Sequence, residues 1–119
     1  MGKVTIGLVG PCAAGKSTLA ARLKALGYPA RHIAQEHSYV PYMWKRMADP
    51  DVLIFLDVSF ENTLVRRKLD WTRSEYEEQL RRLRHARQYA DLIIRTDDLN
   101  PDDVLQIILA FLKKTKHNG

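Results

Sequence analysis

A short turn between a strand pattern and a helix pattern constrains the fold of this chain most strongly. Residues 3–9 are apolar and β-branched, which predicts a strand, and leucines recur at helical spacing from Lys16 onward. Between them, residues 10–17 read Gly-Pro-Cys-Ala-Ala-Gly-Lys-Ser and fit the pattern G-x-x-x-x-G-K-[ST]. Such a turn points its backbone N–H groups inward, and the dipole of the following helix reinforces the attraction for anions. We therefore expect this turn to cradle phosphate groups.

The residues of this turn have different expected roles. Glycines let the backbone curl tightly and approach a ligand without a Cβ in the way. Lys16 supplies a mobile cation for the β- and γ-phosphates of a nucleotide, and the hydroxyl of Ser17 can ligate Mg²⁺. Cys12 occupies a free position, where it is either a reactive thiol near a helix N-terminus or a small filler. The residues expected to contact the nucleotide are Gly10, Pro11, Cys12, Ala13, Ala14, Gly15, Lys16, Ser17 and Thr18.

Strand patterns alternate with helix patterns along the rest of the chain. Further strands are predicted at residues 29–35, 52–58 and 92–95, and helices at 16–26, 42–48, 59–69, 72–90 and from 101 onward. This order predicts a single α/β domain over residues 1–119, with a doubly wound, three-layer parallel sheet of about four strands. Because the connection between the second and third strands is short, we expect the second strand to lie directly beside the first.

Composition and charge restrict the possible classes of protein. Hydrophobic residues make up 45% and the formal net charge is +5, and no apolar run reaches the roughly 18 residues of a membrane span. The chain begins directly with a strand pattern, so no signal peptide is expected, and its single cysteine favours the cytoplasm. Basic side chains concentrate in residues 66–87, which suits a phosphorylated ligand, a nucleic acid or a solvated helix face. Nucleic-acid binding ranks last, since interleaved aromatic residues and RNA-binding signatures are missing.

The sequence resembles the small P-loop kinases that act on nucleosides, nucleotides, shikimate or adenylylsulfate. The resemblance rests on residues 10–18, 51–59 and 90–99. It implies Mg-ATP as the phosphoryl donor, a small-molecule acceptor, and a loop at Arg95, Thr96 and Asp97 that packs against adenine. No Asn-Lys-x-Asp motif for guanine is present, which favours ATP over GTP. The chain has one strand and helix fewer than such kinases and no long lid insert, so a nucleotide-binding regulatory ATPase or switch remains the alternative.

Three arginines stand where such kinases carry their lid: Arg66, Arg67 and Arg73. The resemblance implies that at least one of them neutralises charge on the transferring phosphoryl group, because an arginine stays protonated and its fork matches phosphate oxygens. The alternative is ion pairing with nearby acidic residues at helical spacing.

Two carboxylates are candidates to support the magnesium ion. Glu36 follows the second predicted strand, and Asp57 ends the third. We favour Glu36 because a strand directly beside the first one brings its carboxyl end to the phosphates. Asp57 is otherwise a turn residue before Ser59, which is expected to cap the next helix. His37 is a candidate general base or substrate contact, or neither, and the spacing of histidine and cysteine suggests no zinc site.

An aromatic and methionine-rich segment follows the second strand, with Tyr39, Tyr42, Met43, Trp44 and Met47. Such a cluster can stack on a base or sugar, cover a small core, or form a patch between two copies of the chain. A homodimer is therefore one of the open expectations.

Overall fold

A computed structural model describes residues 4–66 and 70–115, the last of them by its backbone only. Four strands form one sheet: β1 (Ile6–Val9), β2 (Ala30–His32), β3 (Val52–Asp57) and β4 (Leu92–Arg95). Their order across the sheet is β2-β1-β3-β4, and every neighbouring pair is parallel. The expected four-stranded parallel sheet is confirmed, as is the place of the second strand directly beside the first.

Six helices connect or flank these strands in the described residues. They are α1 (Lys16–Ala25), α2 (Met43–Met47), α3 (Phe60–Arg66), α4 (Arg73–Arg82), α5 (Arg84–Tyr89) and α6 (Pro101–Thr115). A 3₁₀ turn, η1 (Gln35–His37), follows β2. None of the helices in this part of the chain is long and apolar enough to cross a membrane.

The core lies on both faces of the sheet, because side chains of a strand alternate between the two faces. On one face, Ile6 and Leu8 pack with buried residues of α1 and α6. On the other face, Val9 and Phe55 pack with Trp44 of α2 and with buried residues at the start of and within α5. The sheet is thus covered on both sides, which confirms the doubly wound, three-layer α/β fold.

Local signals define the helix starts. The side chain of Thr72 accepts a hydrogen bond from the N–H of Glu75 and the Glu75 carboxylate accepts one from the N–H of Thr72, so α4 begins with the expected capping box. Ser59 caps α3 through the N–H of Asn62, at 3.2 Å. Asn100 caps α6 in the same way through the N–H of Asp103, at 2.8 Å.

Two expected elements differ from the structure. The predicted helix over residues 72–90 is broken at Leu83, which is buried and separates α4 from α5. The predicted strand over residues 29–35 is shorter, because Gln35 and Glu36 belong to η1. The predicted helix over 59–69 is seen to Arg66, and its last three positions lie outside the described residues.

Candidate functional site

The turn between β1 and α1 has the backbone geometry of a tight cradle. Gly10, Ala13 and Gly15 have φ values of 155°, 70° and 97°. A Cβ on Gly10 would lie 2.2 Å from the carbonyl oxygen of Leu56 in β3, so only glycine fits at this position. Gly15 precedes α1 in the left-handed conformation, and no side chain caps this helix within the described residues. The first N–H groups of α1 therefore remain available to an anion.

Lys16 lies folded across this turn rather than extended into solvent. Its side chain is 8% exposed, and its Nζ donates to the carbonyl oxygens of Gly10 and Pro11 at 2.6 and 3.2 Å. The same Nζ lies 2.9 Å from Oε2 of Glu36. The ammonium group thus links the turn to η1, which follows the neighbouring strand β2. A buried cation of this kind is compensated by its carboxylate partner.

Glu36 is positioned by the 3₁₀ turn and is itself buried, with 4% of its surface exposed. The neighbouring Gln35 holds η1 in place: its Oε1 accepts from the N–H of Trp44 at 2.8 Å, and its Nε2 donates to the carbonyl of Val40 at 2.8 Å. Oε1 of Glu36 is buried and has no hydrogen-bond partner in the described residues. Because an unpartnered buried carboxylate oxygen is costly, this atom is suited to a ligand such as a metal ion.

Glu36 and Lys16 line a cavity of about 210 Å³ together with Ser17 and Thr18 at the start of α1. This cavity therefore brings a hydroxyl, a carboxylate, an ammonium group and a helix N-terminus to one place. These are the groups expected to bind a magnesium nucleotide, since Mg²⁺ takes oxygen ligands and phosphates need N–H groups and cations.

Asp57 lies at a different place. It lines a second cavity of about 500 Å³ at the carboxyl ends of β3 and β4, with Arg95 and Asp97 among the other lining residues. Its carboxylate is 3.7 Å from Nη1 of Arg87. The two candidate carboxylates thus face different cavities, and Glu36 of η1 is the one that contacts Lys16.

Arg66 joins the turn to the loop after β4. Its Nη1 donates to Oγ1 of Thr96 at 2.9 Å and to the carbonyl oxygen of Ala13 at 3.4 Å, and its other terminal nitrogen donates to the carbonyl of Thr96. Thr96 is buried and donates its own hydroxyl to the carbonyl of Asp57 at 2.7 Å. The guanidinium group is therefore held beside the phosphate cradle by the loop that was expected to contact adenine.

The other two lid arginines are placed differently. Arg73 pairs with Glu61 at 2.6 Å, and its guanidinium carbon lies 4.8 Å from the ring centroid of Phe60. Its ion-pair partner is thus on α3, and not one of the acidic residues at helical spacing on its own helix. Arg67 lies outside the described residues.

Asp97 supports the local structure of this edge. Its carboxylate accepts a hydrogen bond from the N–H of Ser59 at 2.9 Å. Burial alone would raise the pKa of Asp97, but the hydrogen bonds from Ser59 and Asn62 and the charge of Arg66 outweigh it, so the pKa lies below its ordinary value. The loop of Arg95, Thr96 and Asp97 is therefore tied to α3, and Arg95 and Asp97 also face the larger cavity.

Gln79 of α4 is a site residue that sequence reasoning missed. Its Oε1 accepts from the N–H of Cys12 at 3.0 Å, and its Nε2 donates to Sγ of Cys12 at 3.1 Å. The buried positions of this stretch are 76, 79, 83 and 86, which is regular helical spacing. A glutamine on the buried stripe of an amphipathic helix was the available signal, since a buried amide needs a polar partner.

The aromatic segment divides into a buried part and an exposed part. Trp44 is buried, and its Nε1 donates to Nδ1 of His85 at 3.1 Å. Tyr39 and Met47 are exposed, and the guanidinium carbon of Arg82 lies 4.3 Å from the ring centroid of Tyr39. Packing in the core therefore explains the presence of Trp44, whereas Tyr39 lies at the surface near η1.

The parallel sheet and the glycine turn together define an α/β protein with the P-loop architecture of the small kinases. Among solved structures, the chain is similar to the shikimate kinase from Acinetobacter baumannii in complex with shikimate. The TM-score is 0.65 at 16% sequence identity, over 96% of this chain and 95% of that chain. No protein-family model matches the chain, and no curated protein sequence matches it either. The likeness confirms the expected small P-loop kinase fold.

Proposed function

We propose that this chain binds Mg-ATP and transfers its γ-phosphoryl group to a small-molecule acceptor. The observation that carries the proposal is the buried pair of Lys16 and Glu36 beside the start of α1. Among the described residues, no side chain caps this helix and one carboxylate oxygen of Glu36 has no hydrogen-bond partner. A structural ion pair alone would not leave that oxygen unsatisfied in a cavity lined by the phosphate cradle. The proposal assigns residues 1–119 to one nucleotide-binding domain that acts in the cytoplasm.

The donor is held by residues 10–18. Backbone N–H groups of the turn and of the start of α1 bind phosphate oxygens, and Lys16 exchanges its carbonyl partners for the β- and γ-phosphates. Ser17 and Glu36 are the residues that would hold Mg²⁺, and Asp57 is the less favoured carboxylate because it faces another cavity. Bound there, Mg²⁺ supplies neutralisation of the charge on the donor phosphates.

We assign to Arg66 the role of neutralising charge on the transferring phosphoryl group. It already contacts the turn at Ala13, and it carries a permanent positive charge. Arg73 and Arg67 remain candidates for the same role, although the guanidinium group of Arg73 is paired with Glu61. The cavity faced by Arg95 and Asp97 is assigned to the adenosine part of ATP, since it lies at the same edge of the sheet, beyond β3 and β4.

The acceptor site is assigned to a cavity of about 520 Å³ between η1 and α4, lined by His37 and Gln79 among others. This cavity borders the turn, because Gln79 contacts Cys12 and His37 follows Glu36. In the transfer, an acceptor hydroxyl oxygen bonds to the γ-phosphorus, the bond from phosphorus to the β–γ bridging oxygen breaks, and ADP leaves. His37 is the candidate to take the hydroxyl proton.

The charges around this cavity favour an acceptor other than a carboxylate. Its lining includes Glu75, Glu77 and Glu78, and the two arginines there, Arg81 and Arg82, both pair with Glu78. An anionic acceptor such as the shikimate of the similar kinase would need an unpaired cation, so we propose a neutral or cationic hydroxyl compound.

Calorimetry with ATP and Mg²⁺ tests donor binding. Lys16→Ala is expected to abolish tight binding, whereas Lys24→Ala, an exposed lysine on the same helix, is the matched control and should bind as the wild type does. Both variants should keep the wild-type circular dichroism spectrum. Wild-type affinity in Lys16→Ala would refute the phosphate cradle.

Release of ADP from ATP, measured across a panel of neutral, cationic and anionic hydroxyl compounds, tests the transfer. Turnover that depends on one acceptor supports the kinase. Tight ATP binding with acceptor-independent hydrolysis would instead show a nucleotide-binding switch. Sedimentation of the same sample decides whether two copies pair through the exposed Tyr39 and Met47.

A further inference from the structure

A second group of ligand atoms combines a residue of the turn before α1 with two residues of η1. Cys12, Glu36 and His37 each offer one such atom, and these three atoms lie within 4.8 Å of one another. Cys12 belongs to the turn after β1, and the other two belong to η1 after the neighbouring strand β2. Their meeting therefore depends on the fold, which is why sequence spacing gave no metal signal.

We propose that Cys12, Glu36 and His37 form a binding site for a thiophilic divalent metal ion such as Zn²⁺. A thiolate, an imidazole and a carboxylate are the donor set that zinc takes in proteins, and a fourth position would remain for water. Magnesium and calcium prefer oxygen ligands, so sulfur and nitrogen donors select against them.

The unpartnered oxygen of Glu36 is the independent observation that points to a ligand here. Glu36 is 4% exposed, and its Oε1 has no hydrogen-bond partner in the part of the chain that the structure describes. Its Oε2 is 3.7 Å from Nε2 of His37 and is already taken by Lys16. One carboxylate oxygen is thus free for a metal ion while the other remains bound to the ammonium group.

The sulfur and the imidazole are able to complete the site. Nε2 of Gln79 donates to Sγ of Cys12 at 3.1 Å, and this N–H donor fixes the position of the sulfur. Ligand atoms around zinc lie about 3.5 Å apart, given bonds of about 2.0–2.3 Å, so the group must contract somewhat. The side chain of His37 is 61% exposed and has room for this movement. On binding, the Cys12 thiol gives its proton to solvent and its sulfur bonds to the metal.

A regulatory consequence follows if the proposed function also holds. Oxygen Oε1 of Glu36 is the same atom that we assign to Mg²⁺, and Cys12 is part of the phosphate cradle. A thiophilic metal and Mg-ATP would then exclude each other, so zinc would act as a competitive inhibitor of nucleotide binding.

The test uses Co²⁺ as a spectroscopic probe of the reduced chain of residues 1–119, with no nucleotide present. We expect a thiolate-to-cobalt charge-transfer band that saturates at one equivalent and is lost when Zn²⁺ is added. Cys12→Ser should abolish the band, and His37→Gln should weaken Zn²⁺ affinity by roughly tenfold or more. His32→Gln is the matched control, because His32 lines the same cavity as Glu36 but is not one of the three ligands.

Several results would overturn the site. They are a missing charge-transfer band in the wild type, unchanged Zn²⁺ affinity in Cys12→Ser, or an equal loss in His32→Gln and His37→Gln. If Cys12→Ser does not fold, alkylation of the thiol in the folded wild type must remove the band instead. Lys16→Ala separates the two proposals, since it should lose ATP but keep the cobalt band. A cobalt site in a chain that never binds ATP would leave the metal site standing and remove the proposed function.

Discussion

Replacing Glu36 by glutamine removes one buried charge and little else. The substitution keeps the volume of the side chain and an oxygen that can accept from Lys16, whose Nζ lies 2.9 Å from Oε2. Both side chains of the pair are more than nine-tenths buried, with exposures of 8% and 6%. After the change, the Lys16 ammonium is buried without a counter-charge, although the carbonyl oxygens of Gly10 and Pro11 still accept from it.

The expected loss of stability follows from this geometry. Breaking a buried ion pair typically costs about 3–5 kcal/mol. Because two carbonyl partners remain, we expect Glu36→Gln to lower the free energy of unfolding by about 3 kcal/mol. At roughly 4 °C per kcal/mol for a domain of this size, the melting temperature should fall by roughly 12 °C. Asp57→Asn is the matched control: its carboxylate is 3.7 Å from the half-exposed Arg87, so about 1 kcal/mol or less should be lost.

The functional measurement is ATP affinity and ADP release as a function of Mg²⁺ concentration. Glu36→Gln should require at least about tenfold more Mg²⁺, because a neutral amide is a weaker ligand than a carboxylate. ATP should still bind through the turn. Asp57→Asn should keep the wild-type magnesium dependence. If Glu36→Gln leaves that dependence unchanged and Asp57→Asn abolishes it, the two roles are reversed and the structural argument from the Lys16 contact fails.

Two further predictions concern the surroundings of the site. Gln79→Leu leaves the N–H of Cys12 without its acceptor, so about 1–3 kcal/mol of stability should be lost and the thiol should react faster with a disulfide reagent; an unchanged reaction rate would show that Gln79 does not cover the sulfur. The pKa of Asp97 is lowered from its ordinary value of 3.8, so its stabilising effect is present above that value and is lost as the pH falls through the lowered pKa. Melting temperatures measured from neutral pH down to below about pH 4 should therefore fall less in Asp97→Asn than in the wild type, and parallel curves would contradict this.

Signals that are local in sequence predicted most of the fold. The pattern of residues 10–17 together with the strand before it specified the turn, and the capping residues Thr72 and Asn100 marked helix starts that the structure reproduces. The short connection after the second strand was enough to place that strand beside β1. Each of these signals acts over a few residues, so reading along the chain is sufficient to find it.

Contacts between distant residues were harder to predict. Gln79 reaches Cys12 across 67 positions, and Arg66 reaches Thr96 across 30. Neither contact has a sequence motif, because each arises only when α4 and the loop after β4 pack against the turn. The break at Leu83 was missed for the same reason. Helical spacing continues through it, and its place in the buried cluster of Val9 and Phe55 is a long-range contact that no local signal predicts.

The turn is held from three sides before any ligand arrives, and this has a consequence for binding. Glu36 holds Lys16, Arg66 contacts Ala13, and Gln79 contacts Cys12, so each partner comes from a different element. A cradle fixed in this way loses little conformational entropy when it binds phosphate, which favours affinity. Under the proposed function, Lys16 must nevertheless leave the carbonyls of Gly10 and Pro11 to reach a nucleotide. Its bond to Glu36 can persist during that movement. In the proposed function, Glu36 would therefore control both where the cation points and what charge the metal ion meets.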